Sequence, residues 1–587
     1  MVRSRWSAAA LASLLTLSLA GCPGESPQTP PAEASPAEAA PAEDAPAEDA
    51  PAEDAPESAD PIPAEETSQD TGQAADKAFE DGLGDGSNAE QVFTFNNGAE
   101  PETLDPHLAT GVPEGRLLDA LFEGLVTLHP ETLEPVPGVA KSWSVSKDGR
   151  VYAFKLRRDS KWSNGTVVTA KDFFASWKRA LTPATGSQYA YMYYAIQGAE
   201  AFNKGESKDF STVGIEVVDD FTFKVTLTNP CAYFLHQAAF RTLCPVPMQL
   251  VESEGDAWSR EGKLIGNGAF KLVEWRPNDK IVLVPNQYYW ARKEVRLDRL
   301  IALPIEDMET AYKLYLQGDL DWMTAVPAAK VEEIKRHPDY YASPYLGTYF
   351  YRFNVTKPPF DDVRVRKAFS IALNRESITK DILKGGQIPA TWFCPELPSY
   401  KPPQGLKESR KEAQRLLAEA GYPGGKGFPE VALLYNTNEA HKQVAEVAAQ
   451  QWKENLGVTV SLRNTEWKVY LDLVDQKDYQ IARAGWIGDY VDPNTFLDCF
   501  VTDGGNNNTG WSHAKYDELI RAAAAEADPK KRAAIFHEAE QILIEQELPI
   551  LPIYIYVNQG MLRDTVLGWE ENVLDSHPFR YISIDDE

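Results

Sequence analysis

The chain has 587 residues, of which 43% are hydrophobic and 25% are charged, and its formal net charge at pH 7 is −29. A chain of this length exceeds what one hydrophobic core can serve, so more than one folded lobe is expected. The negative balance argues against nucleic acid as a partner, because phosphate backbones are bound by clusters of lysine and arginine.

The first 22 residues predict a lipoprotein signal peptide. Arg3 and Arg5 precede an apolar stretch from Ala8 to Ala20, which is too short to span a bilayer but suits the apolar region of a signal peptide. The stretch ends in small residues before Cys22, a pattern typical of a bacterial lipobox, in which the cysteine receives diacylglycerol. The alternative is an ordinary secretory signal in which Cys22 is incidental. No other stretch is apolar enough to span a membrane, so Cys22 is the only expected anchor.

Residues 23–90 predict a disordered tether. They repeat proline, alanine, glutamate and aspartate, and contain almost no aromatic or β-branched residues. Such a segment has too little apolar surface to offset the entropy of ordering it. The tether carries a net charge of −18, so the part from Gln91 onward carries only −13.

The remaining chain mixes strand and helix patterns, which predicts α/β lobes. β-branched and aromatic residues predict strands at Val151–Leu156 and Phe221–Leu227. A period of 3.6 residues predicts four helical stretches, namely Val363–Leu373, Ser409–Ala420, Glu439–Leu456 and Lys515–Glu545.

Many short motifs occur in series from about Gln91 to the end of the chain. The motifs are Thr103–His107, Gly111–Glu114, Leu121–Leu125, Gly138–Trp143, Phe154–Arg157, Lys161–Thr166, Thr169–Phe173, Gly266–Phe270, Pro359–Arg366, Leu434–Thr437 and Ala482–Tyr490. In this order they resemble the extracellular solute-binding proteins of family 5, and specifically the peptide-binding branch that serves bacterial ABC importers.

The resemblance implies an α/β, two-lobed clamp of the type II periplasmic-binding-protein kind, with an inserted domain and three domains in all. The expected division is a signal peptide at 1–22, a tether at 23–90, lobe I at 91–124 with 249–347 and 557–587, an inserted domain at 125–248, and lobe II at 348–556. Four cysteines follow Cys22 and allow three disulfide pairings. We favour Cys231–Cys244 with Cys394–Cys499, because each bridge then stays inside one lobe.

The implied ligand is a short oligopeptide held in extended form between the lobes. A receptor for peptides of any sequence can grip only the backbone and the two charged ends, and each enclosed end needs an opposite charge. Asp489 matches the family position that binds the peptide α-ammonium. The alternative is that Asp489 caps a turn in its own backbone.

Two further residues match positions that bind the peptide carboxylate. Arg483 matches the family arginine used for short peptides, and its alternative is a structural salt bridge. His441 matches a position that serves longer peptides, and its alternative is an exposed residue at a helix start. A family lysine falls on Leu383 here, with Lys384 beside it, so the preferred peptide length is left open.

The resemblance also implies residues that hold the ligand backbone and form pocket walls. Gly111 and Val112, and Gly485 and Ile487, match the two backbone segments on either side of the ligand. The wall residues are Tyr189, Asn436, Trp467, Trp486 and Tyr556, each of which could instead be an ordinary core residue. A disulfide common in the family joins positions that are Gly347 and Ile487 here, so it is missing.

An exported enzyme is the main alternative from another class, and the sequence argues against it. The segment His537–Gln541 lacks the second histidine of a zinc-protease helix, and no nucleophile elbow or complete phosphate-binding loop occurs. The histidines are scattered, so no metal site and no cofactor are expected. Other solutes, such as a murein peptide, a metal chelate or an oligosaccharide, and a role as a peptide sensor, stay open. We expect a monomer, lipid-anchored in the periplasm or on the outer cell surface, which delivers peptides to an inner-membrane ABC permease.

Overall fold

A large mixed sheet runs through the computed structural model of the protein, which describes residues 90–585. The predicted signal peptide, Cys22 and nearly all of the predicted tether lie outside these residues. The strands are β1 Val92–Asn96, β2 Val126–Leu128, β3 Pro135–Pro137, β4 Ala140–Val145, β5 Val151–Leu156, β6 Ile215–Asp219, β7 Thr222–Thr226, β8 Phe270–Arg276, β9 Lys280–Pro285, β10 Arg299–Leu303, β11 Trp322–Met323, β12 Tyr340–Phe353, β13 Ile388–Pro389, β14 Val431–Asn436, β15 Val460–Thr465, β16 Ile481–Ile487, β17 Ile550–Leu562, β18 Val566–Leu567 and β19 Ser583–Ile584.

Helices cover the sheets. They are α1 Val112–Leu121, α2 Ala170–Leu181, α3 Ala199–Asn203, α4 Phe234–Ala239, α5 Met248–Glu254, α6 Met308–Gln317, α7 Val331–Ile334, α8 Val363–Ile371, α9 Arg375–Ser377, α10 Arg410–Glu419, α11 Glu439–Leu456, α12 Trp467–Asp475, α13 Asn494–Leu497, α14 Ala514–Ala525 and α15 Pro529–Gln541. The predicted strands and helices are confirmed, with one exception: the stretch Lys515–Glu545 is not one helix. It breaks after α14, because the Asp528 carboxylate accepts hydrogen bonds from the backbone of Lys530 and Lys531 and so caps a new helix that begins at Pro529.

The main sheet has eleven strands in the order β15-β14-β16-β12-β17-β11-β1-β10-β9-β8, with β13 paired to β17. The long strands β12 and β17 are shared by both halves. Their antiparallel register shifts between Pro344 and Thr348, so the two halves of the sheet meet at an irregularity. The domain boundaries expected at 347/348 and 556/557 fall at this place, and the division itself stays a prediction.

Separate hydrophobic cores lie on the two sides of this irregularity. One core combines β1 and the strands up to β10 with C-terminal residues such as Phe579. Others lie around Tyr351 and Trp452 and around Phe393 and Phe500. A separate four-stranded sheet, β4-β5-β7-β6, belongs to the first side. The fold is therefore α/β and two-lobed, as the sequence predicts.

The predicted disulfides are not formed, since Cys231, Cys244, Cys394 and Cys499 are all free. The Sγ atoms of Cys394 and Cys499 donate to the carbonyl oxygens of Pro395 and Thr495 instead. Cys244 is buried, and burial raises the pKa of its thiol well above the usual range. In residues 90–585 no helix is long and apolar enough to cross a bilayer.

Candidate functional site

A cavity of about 510 Å³ lies between the two lobes. Its walls come from the segment before α1, from the loop around Tyr189, from α12, and from β16 with the residues that follow it. All twelve residues predicted to contact a ligand line this one cavity: Gly111, Val112, Tyr189, Asn436, His441, Trp467, Arg483, Gly485, Trp486, Ile487, Asp489 and Tyr556. The fold thus brings together residues that are up to several hundred positions apart in the chain.

β16 presents an open edge to this cavity. β14 pairs with β16 only at Ile481 and Ala482, so the outer edge from Arg483 to Ile487 has no strand beside it. The Arg483 carbonyl oxygen accepts a bond from the Tyr470 hydroxyl, whereas the Gly488 amide turns back to β12. Main-chain groups alternate in direction along a strand, so those of Gly485 and Ile487 also point away from β12, into the cavity.

Asp489 lies two residues beyond the end of β16 and faces the cavity. Its carboxylate accepts hydrogen bonds from the hydroxyls of Thr495 at 3.2 Å and Tyr189 at 3.4 Å. No arginine or lysine of residues 90–585 comes within 4.0 Å of it. Burial raises the pKa of the Asp489 carboxyl to about 7, and the more distant Arg241 offsets only part of this effect. Turn capping in this segment is supplied by Asp492, which accepts from the Asn494 amide, and not by Asp489.

Arg483, at the other end of this edge, is surrounded by phenols. Its guanidinium donates to the Tyr556 hydroxyl at 2.8 Å and lies 5.0 Å from the centre of the Tyr349 ring. The Arg483 Nε has no hydrogen-bond partner, and no carboxylate of the described chain lies within 4.0 Å of the guanidinium. Arg483 is therefore a half-buried cation with at least one N–H donor that has no acceptor in the described chain. It forms no salt bridge within residues 90–585, so the alternative of a structural salt bridge does not apply.

His441 lies in the first turn of its helix, beside this arginine. Its backbone amide donates to the Asn438 side chain, and its ring lies 5.5 Å from the same Tyr349 ring. Burial, aided by the charge of Arg483, holds the pKa of His441 well below its usual range, so the ring is neutral near pH 7. The His441 Nδ1 is buried without a partner. In contrast, Lys384 is exposed, Leu383 is buried, and neither lines the cavity.

Aromatic residues close the cavity by contacts between the lobes. The Trp467 indole donates to Glu114 at 3.2 Å, and the Trp486 ring stacks on the Tyr189 ring with 6.2 Å between centres. Gly111 has no room for a side chain here, because an added Cβ would lie 2.0 Å from the Glu114 carboxylate. The contacts of Trp467 with Glu114 and of Trp486 with Tyr189 cross the cleft and join the two lobes at the cavity.

Ile487 fills the place of the missing family disulfide. Gly347 and Ile487 are paired residues on β12 and β16. The Ile487 side chain occupies the space beside Gly347, where an added Cβ would lie 2.4 Å from its Cδ1. Isoleucine packing thus replaces a covalent link at this position.

Four arginines line the cavity that sequence reasoning did not single out: Arg116, Arg241, Arg352 and Arg580. Arg116 lies two residues after the motif Gly111–Glu114, which was the one available signal for it. Nothing in the sequence around the other three indicated that the fold brings them to the same cavity. In residues 90–585 no group of three or more His, Cys, Asp or Glu side chains could hold a metal ion.

These features define a class of protein, the two-lobed solute-binding clamp with its ligand cavity between the lobes. The profile of the family described as “Bacterial extracellular solute-binding proteins, family 5 Middle” matches residues 134–508. The oligopeptide-binding protein OppA of Bacillus subtilis is 36% identical over 497 residues, which cover 82% of this chain and 90% of that protein. The chain therefore belongs to the family 5 solute-binding proteins.

Solved structures agree with this assignment. Haemophilus influenzae OppA in complex with the peptide RPPGFSPFR is 37% identical and superimposes with a TM-score of 0.81, covering 85% of this chain and 99% of that one. The Escherichia coli murein tripeptide binding protein MppA is 36% identical, with a TM-score of 0.82 and coverage of 85% and 99%. The unliganded open form of MppA gives only 0.57 over 84% and 97%. The two MppA structures are of the same protein, so the lower TM-score reflects a different arrangement of its lobes. The lobes of this chain are therefore arranged unlike those of the open form.

Proposed function

We propose that the chain captures short oligopeptides in extended form between its lobes. The observation that carries this proposal is the open edge of β16, whose free main-chain groups at Gly485 and Ile487 suit the addition of one more strand. Main-chain hydrogen bonds of this kind do not depend on the ligand's side chains. They are expected of a receptor that accepts many peptide sequences.

The charges at the two ends of this edge match those of a free peptide. Asp489 is a half-buried carboxylate without a cation of residues 90–585 within 4.0 Å, and it would take the α-ammonium group. Arg483 is a half-buried cation without a carboxylate of the described chain within 4.0 Å, and with the neutral His441 beside it, it would take the α-carboxylate. The two lie six positions apart, about 20 Å in extended chain, so a short peptide fits between them once the long arginine side chain folds back. Gly111 and Val112 would contact the ligand from the other lobe.

The relatives support the wider role. OppA of Bacillus subtilis is named an oligopeptide-binding protein, and a Borrelia burgdorferi homologue is described as an oligopeptide ABC transporter component. By analogy the chain delivers peptides to an inner-membrane ABC permease, is no enzyme, and acts as a monomer held to a membrane through Cys22. It would lie in the periplasm or on the outer cell surface. The separate hydrophobic cores support the division between lobe I and lobe II, and the separate four-stranded sheet β4-β5-β7-β6 supports an inserted domain at 125–248.

Calorimetry with blocked tripeptides tests the proposal. Trialanine with free ends is expected to bind, while N-acetylated and C-amidated trialanine should each bind about a hundredfold or more weakly, because each leaves one buried charge unpaired. The doubly blocked peptide serves as the negative control. Equal binding of free and blocked peptides would show that the end charges are not recognised, and the mechanism would be rejected.

A further inference from the structure

Arg116 lines the cavity from the lobe opposite β16. It lies in the second turn of α1, and its side chain is only 15% exposed. The proposed binding mode gives it no role, since Asp489, Arg483 and His441 all belong to the other lobe. A buried guanidinium at a ligand cavity nevertheless needs a partner, because an unpaired charge away from water is costly.

The protein itself supplies only long hydrogen bonds for this guanidinium, which also lies over the Trp322 ring, 5.2 Å from its centre. One terminal nitrogen donates to the Asn97 carbonyl oxygen at 3.4 Å, and the other lies 3.5 Å from Asp575 Oδ2. Both distances are at the outer limit of hydrogen bonding, and the Arg116 Nε has no partner. Arginine carries five N–H donors, so several remain available.

Asp575 makes its short hydrogen bonds with residues other than Arg116. Its Oδ1 accepts from the Asn558 amide at 2.6 Å and lies 2.8 Å from His577 Nε2, and all three side chains are buried. The carboxylate therefore faces Asn558 and His577 and turns a single oxygen, at long distance, toward Arg116. It balances the charge of the guanidinium in part without filling its hydrogen-bonding capacity.

Tyr345 and Tyr556 line the same cavity as Arg116 and Arg483. Burial and Asp575 raise the pKa of Tyr345, and the charge of Arg116 opposes both. The Tyr345 ring is 6.0 Å from that of Tyr556, whose hydroxyl accepts from Arg483. The two arginines therefore share one cavity with this pair of tyrosines.

We propose that Arg116 forms a second carboxylate subsite of the cavity, on lobe I. It would take the C-terminal carboxylate of a peptide too long for Arg483, or the side-chain carboxylate of an aspartate or glutamate in the ligand. A guanidinium with free donors binds either group in the same two-bond geometry. Among residues 90–585 no lysine lines the cavity, and Lys384 is exposed outside it. The inference rests on the proposed capture of peptides.

Calorimetry on Arg116→Gln tests the subsite and separates the two sources of carboxylate. The ligands are trialanine, pentaalanine with a free or an amidated C-terminus, and the three alanine tripeptides with one glutamate, each beside its glutamine counterpart. Arg463→Gln is the matched control, because that arginine is 45% exposed and does not line the cavity.

If the C-terminus is bound, Arg116→Gln weakens free pentaalanine about tenfold to a hundredfold, the usual worth of hydrogen bonds to a charged group. It leaves trialanine and the amidated pentapeptide within about twofold. If a side chain is bound, the same loss falls on one glutamate tripeptide and not on its glutamine counterpart. Arg116→Lys keeps the positive charge but not the two parallel N–H donors of the guanidinium. It should therefore recover part of the affinity in either case.

Two results overturn the subsite. A change below about twofold for every peptide leaves Arg116 without contact to the ligand. An equal loss for all peptides, the amidated one included, assigns Arg116 to the fold or to closure of the lobes. Unchanged binding of trialanine shows that the variant is folded. Failure of the wild-type protein to bind any peptide would instead reject the proposed function itself.

Discussion

Asp489 and Arg483 face the same cavity from the two ends of one strand edge, yet their surroundings differ. Asp489 meets two hydroxyls at long distances and no nearby cation, and burial raises the pKa of its carboxyl to about 7. Arg483 meets phenols and the neutral His441, with no carboxylate. Desolvation therefore destabilises the charged form of Asp489 more than that of Arg483. A ligand ammonium that pairs with Asp489 offsets the larger of these two free-energy costs.

The two ends also differ in how many groups could serve them. The proposals assign one carboxylate, Asp489, to the ammonium end and three basic residues, Arg483, His441 and Arg116, to the carboxylate end. An extended peptide read from its amino end has its carboxylate displaced by about 3.3 Å per added residue. A single fixed acid and a row of basic groups suit a receptor that accepts several peptide lengths.

The largest expected effect is that of Asp489→Asn. Without the carboxylate, a bound ammonium is enclosed unpaired, which costs about 3–5 kcal/mol, or roughly a thousandfold in affinity. The loss should be the same for tri-, tetra- and pentapeptides, as calorimetry can measure. Asp478→Asn, which changes an exposed aspartate of the same lobe, is the control. Binding within about tenfold of wild type at every length would mean that the ammonium is held elsewhere.

Acid should weaken binding next most strongly. The raised pKa means that free Asp489 carries a proton below about pH 7, and the ammonium must displace that proton to pair with the carboxylate. Affinity for trialanine should therefore fall about tenfold per pH unit from pH 7 toward pH 5. Above about pH 8 it should fall again as the peptide amino group loses its own proton.

Titrations on Asp489→Asn are the control for this pH profile. The variant keeps the peptide and the rest of the cavity but has no carboxyl to titrate, so its acid slope should vanish. His441 is not expected to produce a slope that begins near pH 7, because burial and the charge of Arg483 hold its pKa well below the usual range. An acid slope that survives in the variant would assign the titration to another group.

Arg483→Gln should have a smaller and length-dependent effect. Loss of the charged hydrogen bonds to the carboxylate should cost trialanine about tenfold to a hundredfold. Pentaalanine should lose less, because its carboxylate lies beyond this arginine. Arg463→Gln serves again as the exposed control. An equal loss of affinity at all peptide lengths would mean that Arg483 maintains the structure of the cavity and does not bind the peptide carboxylate.

The sequence predicted much of this comparison, for reasons that can be named. Helix Glu439–Leu456 and strand Val151–Leu156 have the predicted bounds, because periodicity and a capping Asn438 are local signals. The twelve cavity residues followed from motifs that resemble a family. Arg116 was missed, because its closest charged neighbour, Asp575, lies 459 positions away and only the fold brings them together.

The cysteines also show that sequence alone does not predict which distant residues the fold brings together. An even number of cysteines in a chain expected to be exported allowed two disulfides, and the expected lobes suggested a pairing. In the fold Cys231 lies near Tyr233 and Asp492, whereas Cys244 lies near Asp119 and Glu123. Cys231 and Cys244 are close in sequence but form no disulfide in the fold. The number of cysteines alone cannot predict which of them are close in space.

The smallest expected effect is that of His441→Gln, and it sharpens the contrast between the ends. The ring is neutral, so it can offer a carboxylate one ordinary hydrogen bond, worth about 0.5–1.5 kcal/mol, or roughly twofold to tenfold in affinity. The buried Nδ1 without a partner marks the atom that is free to bind. We expect calorimetry to detect the loss for tetrapeptides and hardly at all for trialanine. Glutamine keeps a donor of similar reach, so His441→Leu should lose more than His441→Gln. If both variants bind every length as the wild type does, the basic end consists of the arginines alone.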